Sequence, residues 1–150
     1  MVFEYPEDPA VKYLDQQYML GEALLVAPVF REDHMAEYYL PSGTWTDFFT
    51  GETREGGKWY SGEYDYFSLP FYVRENTILV MGNCETRPDY DYNDHPVIRV
   101  YHPAENVTIS AQIPDIHGNT VNTVYARKEN GKVNVWCENA DTEMTVEIYE

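Results

Sequence analysis

Alternating apolar and polar residues constrain the second half of this chain more than any other feature. Between positions 107 and 113, two sets of side chains would point to opposite faces of a strand. The apolar set is Val107, Ile109, Ala111 and Ile113, and the polar set is Thr108, Ser110 and Gln112. The pattern recurs at Val133, Val135 and Cys137, directly after Asn130-Gly131, a dipeptide typical of two-residue hairpin turns. Several short strands at this spacing predict a β-sandwich.

The first half also predicts strands joined by tight turns. The run ALLVAPVF, residues 23–30, is continuously apolar, as expected of a strand that is covered on both faces. Pro41 and Gly43 supply turn residues between two aromatic-rich stretches, and Glu75-Asn76 is predicted to connect two further strands. This half therefore predicts a second set of antiparallel strands.

One amphipathic helix is predicted at the start of the chain, from Pro9 to Leu20. Asp8 is a suitable cap, Pro9 suits the first helical position, and Val11, Leu14 and Tyr18 fall on one face. Gly21 would end the helix in a left-handed conformation. These assignments follow from capping preferences and helical periodicity. A lone helix ahead of a β-protein needs a surface to pack against, so we expect a neighbouring domain to provide one.

The stretch from Asn83 to Pro96 is poor in aliphatic residues and dense in Asp, Asn and Pro, which is typical of a crossing between domains. We therefore predict an all-β chain with two consecutive antiparallel β-sandwich domains, preceded by a short helix. The expected limits are 1–21 for the helical segment, 22–82 for the proximal sandwich and 83–150 for the distal sandwich.

The net charge of the chain limits the classes of partner that it is expected to bind. With 26 acidic and 10 basic residues in 150, the net charge is −16, which disfavours binding to nucleic acid or to anionic membranes. A neutral sugar would not be repelled. Two cysteines are too few for a disulfide framework, and no signal peptide or membrane span is visible. We therefore expect a cytoplasmic location.

No catalytic, cofactor-binding or metal-ligating constellation is visible. Asp89, Asp91 and Asp94 cluster in the crossing, but nothing apolar there would tune them for acid–base chemistry, and the run lacks the glycine and terminal glutamate of an EF-hand loop. The histidines match no metal-ligand spacing, and no nucleophile elbow or phosphate-binding loop is present.

The aromatic residues support a binding hypothesis and an alternative to it. Trp59 and Tyr60, with further aromatics nearby, could form a flat platform on which sugar rings stack. The alternative is that these aromatics belong to the core, with the tyrosine hydroxyls pointing outward. The two hypotheses differ in whether Trp59 and Tyr60 lie together on one exposed face.

Four stretches together resemble the C-terminal part of glycoside hydrolase family 31, and most of all its bacterial α-xylosidases. They are QYMLGEALLVAPVF, YYLPSGTWTDFFTGE, GGKWY and FSLPFYVRENTILVMG. The later RPDY, Arg87 to Tyr90, resembles the entry into the distal sandwich of those enzymes. The likeness is specific up to about Gly82 and weaker after Tyr92.

The resemblance implies a larger hydrolase in carbohydrate metabolism, of which this chain is the tail. Family 31 enzymes are retaining α-glycosidases whose Asp nucleophile and Asp acid/base lie on a (β/α)8 barrel, in motifs that this chain does not contain. No catalytic residue is therefore expected here. The implied partners are the absent barrel of the parent chain, against which the leading helix would lie, and a second copy in a homo-oligomer. The implied substrates of the parent are α-linked xylosides or glucosides. The alternative is a carbohydrate-binding module that uses exposed aromatics.

Overall fold

The computed structural model describes all 150 residues and is almost entirely β-structure, which confirms the predicted fold class. The chain forms a 3-10 helix at Pro9–Val11 and the following strands. They are β1 (Tyr18–Leu20), β2 (Leu24–Val26), β3 (Met35–Leu40), β4 (Thr44–Asp47), β5 (Thr53–Glu55), β6 (Lys58–Glu63), β7 (Phe71–Arg74), β8 (Thr77–Met81), β9 (Val97–Tyr101), β10 (Thr108–Pro114), β11 (Thr120–Glu129), β12 (Lys132–Cys137) and β13 (Thr145–Tyr149). No helix is long and apolar enough to cross a membrane.

The first compact unit, Met1–Glu75, is a sandwich of two sheets. Its larger sheet has the order β1-β2-β7-β4-β5, and its smaller sheet pairs β3 with β6. Side chains from both sheets form one core, in which Tyr38, Trp45 and Tyr72 are fully buried. The indole N–H of Trp45 donates to the carbonyl of Pro41 at 2.7 Å, so the largest core residue leaves no polar atom unpaired.

The second unit, Asn76–Glu150, is also a sandwich. The sheet β10-β11-β12 faces the sheet β13-β9-β8 across a core that includes Ile98, Val100 and Val124. The predicted hairpin turn is confirmed, because Asn130 and Gly131 connect β11 to β12 with φ values of 52° and 74°. Strand β13 pairs with β9 in parallel, so this sheet is not purely antiparallel as predicted.

The prediction of a helix from Pro9 to Leu20 is wrong beyond its first turn. Asp8 caps the start as expected, with its carboxylate accepting from the amide of Ala10 at 3.0 Å, but helical structure ends at Val11. Tyr18–Leu20 instead forms β1 and pairs with β2, and Gly21 lies in the turn between them with a φ of 66°. Sheet pairing outweighs a weak local preference for helix here.

The stretch from Asn83 to Pro96 contains no strand, as predicted, but it connects β8 to β9, which pair with each other. It therefore lies inside the second compact unit, since β8 belongs to the second sandwich. The proposed domain limits, 1–21, 22–82 and 83–150, stay predictions.

Candidate functional site

Trp59 and Tyr60 lie on opposite faces of β6. Trp59 pairs with Tyr39, has 53% of its surface exposed and contacts the Tyr39 ring at 5.5 Å between centroids. Tyr60 points the other way, onto the core residue Tyr38 at 6.0 Å, and its hydroxyl donates to the carbonyl of Glu55. The structure therefore does not bring Trp59 and Tyr60 together on one flat face, and sugar binding by these two residues stays a prediction.

A cluster of tyrosine hydroxyls lies beneath Tyr60, inside the first unit. The hydroxyl of Tyr38 lies 2.8 Å from that of Tyr72 and 3.0 Å from that of Tyr64, and Arg54 donates to it at 2.7 Å. Burial raises the pKa of Tyr38 strongly and that of Tyr72 to about 12. Tyr38 and Tyr72 are therefore neutral near pH 7, and the hydrogen bonds among the hydroxyls and Arg54 satisfy these polar groups within the core.

Near the end of the Asp-rich stretch, residues 83–96, a histidine contacts two carboxylates. His95 Nδ1 lies 2.6 Å from a carboxylate oxygen of Asp94, and Nε2 lies 2.8 Å from one of Glu143. Hydrogen bonds to Asp94 and then to Glu143 raise the pKa of His95. Asp89 and Asp91 are exposed, and the chain holds no group of three or more His, Cys, Asp or Glu side chains that could bind a metal ion.

An apolar row crosses the outer face of the larger sheet in the first unit. Tyr18 on β1 is in register with Val26 on β2, which is in register with Phe71 on β7. The ring of Phe71 contacts Phe48 and Phe49 at centroid distances of 4.8 and 5.8 Å. Tyr18 at one end of this apolar row and Phe49 at the other are about half exposed. The row therefore presents apolar rings to solvent at both ends.

Two more aromatic rings project from the turn between β6 and β7. Tyr66 is 92% exposed and Phe67 is 88% exposed, and the two rings meet edge to face at 5.2 Å. Asp65 holds the turn, since its carboxylate accepts from the amide of Phe67 at 2.9 Å and from the hydroxyl of Ser68 at 2.7 Å. No sequence pattern identifies Phe67 as exposed, although the Asp-x-x-Ser spacing of Asp65 and Ser68 indicates such an ordered turn.

These surfaces belong to a chain that two family models cover almost completely. Residues 1–79 match the glycosyl hydrolase family 31 C-terminal domain, and residues 91–150 match the C-terminal domain of the alpha-xylosidase YicI. The alpha-xylosidase XylQ of Lactiplantibacillus pentosus is 30% identical over 153 residues, which cover 100% of this chain and 20% of that protein. The chain therefore spans a small part of the length of this relative.

Solved structures share the fold. A cycloalternan-forming enzyme from Listeria monocytogenes, solved with a pentasaccharide substrate, superposes with a TM-score of 0.83 and 29% identity over 99% of this chain and 15% of that one. An alpha-xylosidase from Xanthomonas citri gives a TM-score of 0.74 and 23% identity over 100% of this chain and 18% of that one, which shows the fold alone. The resemblance drawn from the sequence is confirmed, and the chain belongs to glycoside hydrolase family 31, where it corresponds to the C-terminal region.

Proposed function

We propose that this chain is the non-catalytic C-terminal portion of a larger retaining α-glycosidase that acts on α-linked xylosides or glucosides. The observation that carries the proposal is the end-to-end match to a relative of which the chain covers only 20%. The carboxylates of Asp89, Asp91 and Asp94 are exposed, and each contacts a residue close to it in sequence.

In this proposal the first unit braces the catalytic barrel. The apolar row and the Tyr66-Phe67 turn supply the contact surface, because both present aromatic rings that the unit's own core does not use. Burying a phenylalanine-sized side chain contributes roughly 1.5–3 kcal/mol, so these rings could stabilise a domain interface substantially. Asp65 fixes the turn in advance, which reduces the conformational entropy lost on docking.

The mass of the native protein tests the proposal. If the chain is the tail of a longer enzyme, antibodies raised against it should detect a native product several times heavier than 17.5 kDa. That product should copurify with α-xylosidase or α-glucosidase activity. A native product of 17.5 kDa, with no heavier form, would contradict the proposal.

We also propose that the parent enzyme is cytoplasmic. Cys84 and Cys137 are both free thiols, which suits a reducing compartment. Cell fractionation should then place the native product with soluble cytoplasmic markers, and its recovery in the secreted fraction would contradict this assignment.

A further inference from the structure

An aromatic pair lies on the outward face of the sheet β10-β11-β12. Tyr125 on β11 is in register with Trp136 on β12, their centroids are 5.6 Å apart and their planes differ by 17°. The residues next to them in sequence, Val124 and Cys137, point into the core, so both rings must point outward. Trp136 is 41% exposed, and β12 is an edge strand, so no further strand of this sheet covers its ring.

The surroundings of this aromatic pair are polar and mostly uncharged. The other outward residues at the centre of the sheet are Thr108, Ser110, Gln112, Thr123, Arg127 and Asn134. Arg127 forms an ion pair with Glu129, and Glu138 follows Trp136 at the end of the strand. The chain as a whole has 26 acidic residues. On this face, by contrast, mainly hydroxyl, amide and guanidinium groups surround the indole of Trp136.

We propose that Trp136, held in place by Tyr125, is a binding platform for neutral pyranose oligosaccharides. The C–H face of a sugar ring would stack on the indole, because the negative face of an aromatic ring attracts weakly positive hydrogens. Asn134 precedes Trp136 by two residues on the same strand, and Thr123 lies diagonally across on β11, so both are within reach of the sugar hydroxyls. The platform belongs to the second unit and is independent of the bracing role proposed for the first.

The size and chemistry of the face favour this occupant over a protein. A stable protein interface buries about 800 Å² on each partner around an apolar centre, whereas one aromatic side chain buries about 150–250 Å². Two rings in a polar setting are therefore too small for a protein interface and match one or two sugar rings. The net charge of −16 disfavours phosphates and nucleic acids but leaves a neutral ligand unaffected.

NMR titration of the 150-residue chain with isomaltotriose tests the proposal. The chain has three tryptophans, and each gives one indole N–H signal that a single substitution assigns. Trp45 is buried and serves as an internal reference, and Trp59 is the other exposed indole. The proposal predicts saturable shifts of the Trp136 indole signal and of the Thr123 and Asn134 amides, with the Trp45 signal unmoved.

Three variants sharpen the result. Trp136→Ala should weaken binding at least about tenfold, as stacking contacts on single aromatic rings do. Asn134→Ala, at an exposed position that leaves the core untouched, should weaken it about threefold, which corresponds to the loss of one hydrogen bond. Trp59→Ala is the matched control and should bind as tightly as the wild type.

Three outcomes would overturn the proposal. The first is an indole N–H signal of Trp136 that does not move at a 20-fold or higher excess of sugar, up to about 50 mM. This concentration is well above the dissociation constant expected for one stacking contact. The second is unchanged binding by a folded Trp136→Ala, whatever the effect of Asn134→Ala. The third is loss of binding in Trp59→Ala alone, which would move the sugar site to β6.

Discussion

Gln17 fixes the first residues of the chain to the first sandwich, and its removal is the sharpest structural test available. Its side-chain nitrogen donates to the carbonyl of Tyr39 at 2.7 Å, and its side-chain oxygen accepts from the amide of Tyr39 at the same distance. The side chain is buried. Because it makes both a donor and an acceptor bond to the backbone of Tyr39, it takes the place of a paired residue from a neighbouring strand along the free edge of β3. Gln17→Ala would leave both backbone groups of Tyr39 without these partners.

The expected cost follows from the two bonds. Each contributes about 1 kcal/mol net, and leaving a buried backbone group unsatisfied costs about 1–3 kcal/mol, so the total should reach at least about 2 kcal/mol. For a unit the size of Met1–Glu75, 1 kcal/mol changes the melting temperature by about 4–8 °C. The first unit of Gln17→Ala should therefore melt at least about 8 °C below the wild type.

Calorimetry with Gln16→Ala as the matched control measures this effect. Gln16 is the same residue type one position earlier and is exposed, so its removal should change the free energy of unfolding by no more than about 0.5 kcal/mol. Hydrogen exchange gives a second measurement, because the Tyr39 amide should be protected in the wild type and not in Gln17→Ala. Equal melting temperatures for the two variants, with an unprotected Tyr39 amide in the wild type, would refute this reasoning.

Three further predictions follow from particular contacts. Gly56→Ala should cost at least about 2 kcal/mol in denaturant unfolding, because its added Cβ would lie 1.8 Å from the carbonyl oxygen of Pro41; wild-type stability would contradict this. His95 should titrate by NMR above its ordinary pKa, and its two carboxylate contacts should stabilise the fold below about pH 6.5 and lose that effect as pH rises through the folded pKa; an unshifted titration would contradict this. The chain should self-associate in sedimentation experiments through the edge strand β1, where Tyr18 of the apolar row and Leu20 are both about half exposed. Leu20→Ser should therefore weaken association while Val121→Ser, at another half-exposed site, should not; a wild-type monomer at high concentration would contradict this.

The sequence predicted the strands well where alternation and turn chemistry agreed. The hairpin at Asn130-Gly131 is an example, because a two-residue turn with positive φ values and the flanking period-two pattern specify the same structure. The segment from Pro9 to Leu20 failed because the signals conflicted. Its cap and first turn are local and were predicted, whereas the pairing of β1 with β2 and the bond from Gln17 to Tyr39 depend on distant residues.

The candidate surfaces were predictable only in part. Trp59 and Tyr60 are adjacent in a strand, so period-two geometry alone places them on opposite faces, a consequence that the platform hypothesis overlooked. The pairing of Tyr125 with Trp136 depends on the register of β11 and β12, which the hairpin turn sets but which single residues do not reveal. The number of aromatic residues therefore predicted an aromatic surface, whereas the strand register determines which aromatic side chains share one face.

Hydrolysis by the chain itself tests the central claim most directly. The purified 150-residue chain is incubated with aryl α-xyloside and aryl α-glucoside, with the alpha-xylosidase relative from Lactiplantibacillus pentosus as the positive control. We predict no turnover above the uncatalysed rate for this chain, because it corresponds to the C-terminal region of the family and we propose that the catalytic residues lie elsewhere in the parent enzyme. Hydrolysis that survives repeated purification and follows the folded fraction of the chain would contradict the claim that this region is non-catalytic.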